Sequence, residues 1–165
     1  MPAPLTRVQL FDRLRGGQPQ WRPPWTGDEA GFLEACTACG DCIEACPTGL
    51  LGKGHAGYPI ADFAHAACTF CGRCAEICEA GCFRSASGPA WGLRATISTA
   101  CVEARGVACR RCTDACEHSA IRFRPRVGGG AIAEVDGRAC TGCGACLAPC
   151  PVRAISIKYA AEIPA

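Results

Sequence analysis

Cysteines carry the chemistry that this sequence could perform. The chain has 165 residues and 17 cysteines, and three stretches repeat the spacing C-x2-C-x2-C-x3-C, namely CTACGDCIEACP, CTFCGRCAEICE and CTGCGACLAPCP. Three cysteines at intervals of three residues can wrap one side of a cubane cluster, each offering a thiolate to one iron. The spacing therefore predicts [4Fe–4S] clusters, and the fourth cysteine of each run is expected to reach the cluster of a neighbouring run.

A fourth run, CVEARGVACRRCTDACE, departs from this spacing. Cys101 stands eight positions before Cys109, where the other runs have three. The run is either a cluster site with an insertion or a site that has decayed. The cysteine count favours an insertion, because 17 cysteines make four sets of four plus Cys82. A decayed run would also not preserve Cys109, Cys112 and Cys116 at cluster spacing, so we expect four clusters.

Pairing consecutive runs gives one set of predicted ligands for each cluster. We number the runs one (36–46), two (68–78), three (101–116) and four (140–150). The predicted sets are Cys36, Cys39 and Cys42 with Cys78; Cys68, Cys71 and Cys74 with Cys46; Cys101, Cys109 and Cys112 with Cys150; and Cys140, Cys143 and Cys146 with Cys116. A nested arrangement would instead pair run one with run four and run two with run three. The repeat alone does not choose between these arrangements.

The segments between the runs favour the tandem pairing. After run three, apolar and arginine residues alternate over 121–124, a glycine turn follows at 128–130, and apolar residues return at 132 and 135, which predicts a β-hairpin. LRATIS before run three and AISIKY after run four read as a first and a last strand. GLLGKGHAGYPIADF, between runs one and two, predicts a weaker hairpin. The predicted fold class is therefore α+β, with two tandem bacterial two-cluster ferredoxin-like modules built around [4Fe–4S] clusters.

These elements divide the chain into four predicted segments. They are an N-terminal extension with a short helix (1–35), a first module holding runs one and two (36–79), a linker (80–92) and a second module holding runs three and four (93–160). Thr26 and Glu29 have capping-box spacing, which predicts a helix that starts just after Thr26. The aromatic and proline residues at 21–25 are expected to pack as a lid over a cluster or the core.

Other uses of the cysteines fit the pattern less well. Disulfides are disfavoured because the cysteine count is odd, neighbouring thiols compete, and the N-terminus lacks the features of a signal peptide. Reduced thiols point to a cytoplasmic protein. Zinc prefers two C-x2-C pairs for each tetrahedral site, unlike these runs of four. Cys82 lies outside the runs and is expected to be a free buried thiol, although it could replace Cys78 as the reaching ligand.

Composition argues against several classes of function. The formal net charge of +2 gives no reason to expect a nucleic-acid partner. No stretch approaches the length and apolarity of a membrane span. The sequence has no nucleotide-binding loop and no recognisable nucleophile with a base, so we expect no independent enzymatic turnover.

Several motifs resemble those of one family, the NapF-type ferredoxins that are encoded with periplasmic nitrate reductases. They are RPPWTGDE (22–29) followed by FLEACTACGDC, AGYP (56–59), CTFCGRCAEIC (68–78), AWGLRATISTAC (90–101), CRRCTDACE (109–117) and IRFRP (121–125). The resemblance implies a cytoplasmic iron–sulfur protein whose partner is the precursor of the nitrate reductase catalytic subunit. It further implies a role in cluster insertion or reductive maturation before that subunit is exported. The alternative is a general electron-transfer ferredoxin subunit of an oxidoreductase.

Overall fold

The computed structural model describes residues 20–163 of the chain. Its regular elements are short. The helices are α1 (Glu29–Ala35), α2 (Asp41–Glu44), α3 (Arg73–Glu76) and α4 (Arg111–Asp114), and the strands are β1 (Leu51–Lys53), β2 (Pro59–Ala61), β3 (Leu93–Ile97), β4 (Ile121–Pro125), β5 (Ala131–Val135) and β6 (Ile155–Tyr159). Single 3-10 turns lie at His55–Gly57, Val102–Arg105 and Ala160–Glu162.

The strands that the sequence predicts around runs three and four are present. β3 and β6 form one antiparallel pair, in which Leu93 faces Tyr159 and Ile97 faces Ile155. β4 and β5 form the predicted hairpin, with Ile121 opposite Val135. Because β3 precedes run three and β6 follows run four, their pairing closes both runs into one unit. The residue order also predicts a helix between run four and the last strand, and this prediction is wrong, since residues 151–154 form a turn and irregular backbone.

Runs one and two are joined by a smaller hairpin. β1 and β2 pair antiparallel, which confirms the hairpin predicted in this segment. The outer strand pair is reduced here to a single bridge between Thr26 and Phe83. The chain ahead of run one takes part in this unit, because Trp21 also bridges to Ala61. The predicted lid is confirmed at Trp25, which is buried and donates its indole N–H to the Gly88 carbonyl.

The first helix starts later than the capping box predicts. The N-cap of α1 is Asp28, whose side chain accepts a hydrogen bond from the Gly31 N–H at 3.0 Å. Thr26 does not cap the helix, because its hydroxyl donates to the Pro23 carbonyl at 2.9 Å. The capping box of Thr26 and Glu29 is therefore wrong, while the short helix itself is confirmed.

The hydrophobic core is thin and includes thiols. Phe32, Leu50 and Leu93 are among the few large side chains that are fully buried. The main buried cluster also contains the third cysteine of each run, Cys42, Cys74, Cys112 and Cys146. The cysteine runs are thus part of the core. Within residues 20–163, no helix has the length and apolarity needed to cross a membrane.

A close approach between run four and β3 depends on a glycine. Gly142 has φ +73°, and a Cβ there would overlap the carbonyl oxygen of Leu93. Gly49 has a similar φ, +68°, but no neighbouring atom within 4 Å. The two glycines therefore carry the same backbone strain on substitution and differ only in the space around them.

We predict that Gly142→Ala destabilises the protein more than Gly49→Ala does. A left-handed non-glycine residue costs roughly 1–2 kcal/mol at either position, and overpacking against Leu93 adds about 1–3 kcal/mol at Gly142 alone. The check is the midpoint of anaerobic thermal loss of cluster absorbance in the two variants. Equal midpoints would contradict the close approach of run four to β3.

Candidate iron–sulfur cluster sites

The regular runs share one backbone path around their cysteines. The residue before the second cysteine has a positive φ in each of them, +54° at Ala38 and Phe70 and +73° at Gly142. Left-handed glycines then precede the helical turns α2 and α3, Gly40 and Gly72. These turns point the cysteines of one run towards a common space. The same residue types at the same spacing thus produce the same local structure.

Run three follows the regular path in its second half. In all four runs, the residue three positions after the last cysteine has a positive φ, at Gly49, Gly81, Ser119 and Arg153. Runs three and four also end in the same hydrogen bonds. The Ala120 N–H donates to the Cys116 Sγ at 3.4 Å, and the Ala154 N–H donates to the Cys150 Sγ at 3.3 Å. The interruption in run three is therefore confined to its start.

Three cavities bring cysteines of paired runs together. Each has a volume of about 320–340 Å³ that includes some open solvent. The first is lined by Cys101, Cys109, Cys112 and Cys150; the second by Cys46, Cys68, Cys71 and Cys74; the third by Cys116, Cys140, Cys143 and Cys146. Each of these groups is one of the sets given by the tandem pairing, and Cys101 lies with its set in spite of the insertion.

The fourth predicted set lies around Cys42. Burial, together with the neighbouring thiols of Cys74, Cys36, Cys39 and Cys78, raises the pKa of the Cys42 thiol to about 12. These neighbours include all the other members of the set. Cys42 thus sits among the thiols of its own set and beside Cys74 of the second set.

Cys82 is an additional thiol beside the fourth set. It is buried, as the sequence predicts. Burial raises its pKa to about 12, and the nearby sulfurs of Cys78 and Cys36 contribute to the increase. Its position next to Cys78 leaves open both of its expected roles, a free buried thiol and a substitute for Cys78.

The donor groups fit a [4Fe–4S] cluster in each set. Sulfur is the donor that such clusters use, and four cysteines line each of the three cavities. Within residues 20–163, no three Cys, His, Asp or Glu side chains converge closely enough to hold a single metal ion. Four thiols that line one cavity suit a ligand with several iron atoms.

The thiols differ in how readily they would lose a proton. Burial raises the pKa of Cys74 and of Cys146 to about 12 and that of Cys68 to about 11. Burial has the same tendency at Cys46, but hydrogen bonds from the Leu51 N–H and from Thr48 outweigh it and lower the pKa. Hydrogen bonds to a sulfur favour its thiolate. The surrounding protein therefore prepares Cys46 to bind iron as a thiolate better than it prepares Cys68 or Cys74.

Runs two and four are in direct contact across the two units. The Cys68 N–H donates to the Cys143 carbonyl at 2.8 Å. The indole N–H of Trp91 donates to the Thr141 carbonyl at 3.0 Å, and the Trp91 ring packs edge-on against Phe63 at 5.6 Å between centroids. The second and third cavities therefore lie on either side of the contact between the units.

One residue near the cysteines has no signal in the spacing pattern. Glu103 lies in the segment between Cys101 and Cys109, which the cysteine spacing indicates only as an insertion. In the structure this segment forms a 3-10 turn, Val102–Arg105, and the Glu103 side chain is buried. A single glutamate in a loop resembles any solvated side chain, so sequence reasoning could not have found it.

Comparison with known proteins defines the class to which this chain belongs. Residues 35–83 and residues 106–155 each match the 4Fe-4S dicluster domain family. The first match spans runs one and two, and the second spans run four and all of run three except Cys101. The chain is therefore a ferredoxin-type protein with two 4Fe-4S dicluster domains, which imply [4Fe–4S] clusters.

Relatives that align with nearly the whole chain show the family to which it belongs. The ferredoxin-type protein NapF of Escherichia coli strain K12 is 46% identical over 150 residues, which cover 91% of this chain and 92% of that protein. NapF of Haemophilus influenzae is 44% identical over 137 residues, 83% of this chain and 78% of that protein. The chain belongs to the NapF ferredoxin-type family.

A third relative has a different name. One subunit of an ion-translocating oxidoreductase complex from Methanosarcina acetivorans is 35% identical over 133 residues, which cover 78% of this chain and 48% of that protein. The similarity to this chain thus extends beyond NapF proteins to part of a larger polypeptide.

Proposed function

We propose that the chain holds four [4Fe–4S] clusters, one in each tandem set of cysteines. The observation that carries this proposal is that Cys101, Cys109, Cys112 and Cys150 line one cavity although run three is interrupted. As part of the same proposal, the first module spans residues 36–79 and the second spans residues 93–160. The residues of each set would bind iron through thiolates, and the clusters would supply one-electron transfer when bound.

We further propose that the protein acts in maturation of the periplasmic nitrate reductase catalytic subunit in the cytoplasm, before export. The role would be cluster insertion or reductive activation of the precursor. Similarity to NapF over 91% of the chain supports this proposal, because it covers the interrupted run as well as the regular ones. The protein residues hold and shield the clusters in either role, and no separate substrate-binding site is required.

A general electron-transfer subunit of an oxidoreductase is the second candidate. The similarity to a subunit of the Methanosarcina acetivorans ion-translocating oxidoreductase complex favours it. The two candidates need the same cluster-binding residues and differ in the partner. A partner experiment therefore separates them, whereas spectroscopy of the isolated protein does not.

Anaerobic co-purification tests the maturation role. The tagged protein is expected to retain the precursor of the nitrate reductase catalytic subunit. Deletion of the gene for the present protein is expected to leave that subunit short of iron and of activity. The holoprotein should contain about sixteen iron atoms for four clusters. A catalytic subunit that is fully loaded and active in the deletion strain would favour the general electron-transfer role. A colourless, zinc-rich protein would contradict both candidates.

A further inference from the structure

Glu103 is a buried charged side chain next to a predicted iron ligand. It is 6% exposed, and among residues 20–163 it is the only charged residue that is buried. Burying a carboxylate is costly unless other groups compensate for its lost hydration. Its position in the inserted segment of run three therefore needs a physical reason.

Both oxygens of the Glu103 carboxylate bind residues at the far end of the insertion. Its Oε2 accepts a hydrogen bond from the Cys109 N–H at 2.6 Å, and its Oε1 forms an ion pair with Arg110 at 3.2 Å. The carboxylate thus ties the start of the inserted segment to the second cysteine of the run. In the regular runs only two residues separate these cysteines, so the chain itself fixes their spacing.

The β4–β5 hairpin holds this connection in place. The Arg110 guanidinium lies 4.3 Å from the centre of the Phe123 ring in β4. At Gly130, in the hairpin turn, an added Cβ would lie 2.7 Å from the Glu103 carbonyl oxygen and 3.2 Å from the Gly106 nitrogen. The hairpin therefore contacts Arg110, the ion-pair partner of Glu103, through Phe123. It contacts the backbone of the inserted segment through Gly130.

We propose that Glu103 is a positioning residue, which sets Cys109 at the correct place for iron binding and lowers the reduction potential of the cluster held by run three. The positioning follows from the hydrogen bond to the Cys109 backbone. The effect on potential follows from charge, because negative charge near a cluster favours its oxidised form. Arg110 offsets only part of that charge, since its side chain is 55% exposed and solvated.

Two substitutions separate the positioning role from the charge role. Glu103→Gln keeps an oxygen that can accept from the Cys109 N–H and removes the charge. We expect full iron content and a positive shift in the midpoint potential of one cluster, measured by redox titration with electron paramagnetic resonance detection. Glu103→Ala removes the acceptor, and we expect a loss of about four iron atoms, the content of one cluster.

Glu134→Gln is the matched control. Glu134 is exposed on β5 and pairs with Arg124 at 2.9 Å, so this variant also removes one carboxylate from an ion pair. It is expected to keep the iron content and all potentials of the parent protein. Wild-type potentials in Glu103→Gln would overturn the charge role, and full iron content in Glu103→Ala would overturn the positioning role.

This inference rests on the proposal that run three holds a cluster, and the two fail in distinguishable ways. A parent protein with about twelve iron atoms would indicate three clusters and would contradict the proposed four. A parent protein with about sixteen iron atoms and unaffected Glu103 variants would contradict the role of Glu103 alone. If Glu103→Ala does not fold, the potentials of Glu103→Gln still decide whether the carboxylate acts on the cluster.

Discussion

Replacing Cys101 and Cys150 together by alanine is expected to remove no more iron than replacing either one alone. Each single variant should lose about four iron atoms, because one cluster loses a ligand. The double variant should lose the same four, since both cysteines line one cavity. Iron and acid-labile sulfide for each chain, measured after anaerobic reconstitution, give the result directly.

A second pair of substitutions provides the control for this comparison of single and double variants. Cys101 and Cys46 line different cavities, so their joint replacement should remove about eight iron atoms. The nested pairing makes a different prediction for Cys101 and Cys150, because it places Cys150 with run one. Additive loss in that double variant would therefore overturn the tandem ligand sets. Unchanged iron content in Cys101→Ala would mean that the interrupted run does not need its first cysteine.

The cysteine spacing predicted that the first three cysteines of a regular run face one space, as they do in runs two and four, because this spacing is tied to short-range backbone geometry. Alternation of apolar and polar residues likewise predicted the β4–β5 hairpin and the strands β3 and β6, because successive side chains of a strand point to opposite faces. These features depend on residues close together in the sequence or on a regular period. The fold class could therefore be predicted without knowing how the two units meet.

Features that depend on tertiary contacts could not be predicted in the same way. Thr26 and Asp28 both suit an N-cap, and the choice is made where Thr26 bonds to Pro23 and bridges to Phe83. The contact of Cys68 with Cys143 joins runs that are distant in sequence. The buried ion pair of Glu103 has no periodic pattern, because it arises from one irregular loop.

Removing the iron is expected to unfold most of the described structure. The helices in the runs, α2, α3 and α4, have four residues each, which is too short to be stable alone. Two-stranded sheets are also marginal without a core, and the main buried cluster contains four cysteines from the cluster runs. Cluster binding should therefore supply much of the free energy of folding, as it does in other small metal-dependent domains.

Amide hydrogen exchange of the holoprotein and of the chelator-treated protein is the measurement. Protection in β3 and β6 is the informative part, because these strands lie outside the runs and pair through five opposed residues on each side. We expect protection there to fall at least about a thousandfold, which corresponds to about 4 kcal/mol. Ferrous iron and sulfide added under anaerobic conditions should restore it, and zinc should not. If β3 and β6 stay protected without iron, the side chains of Leu93, Ile155 and Ile157 hold this unit together without the clusters. The thiols would then bind iron without contributing to the stability of this unit.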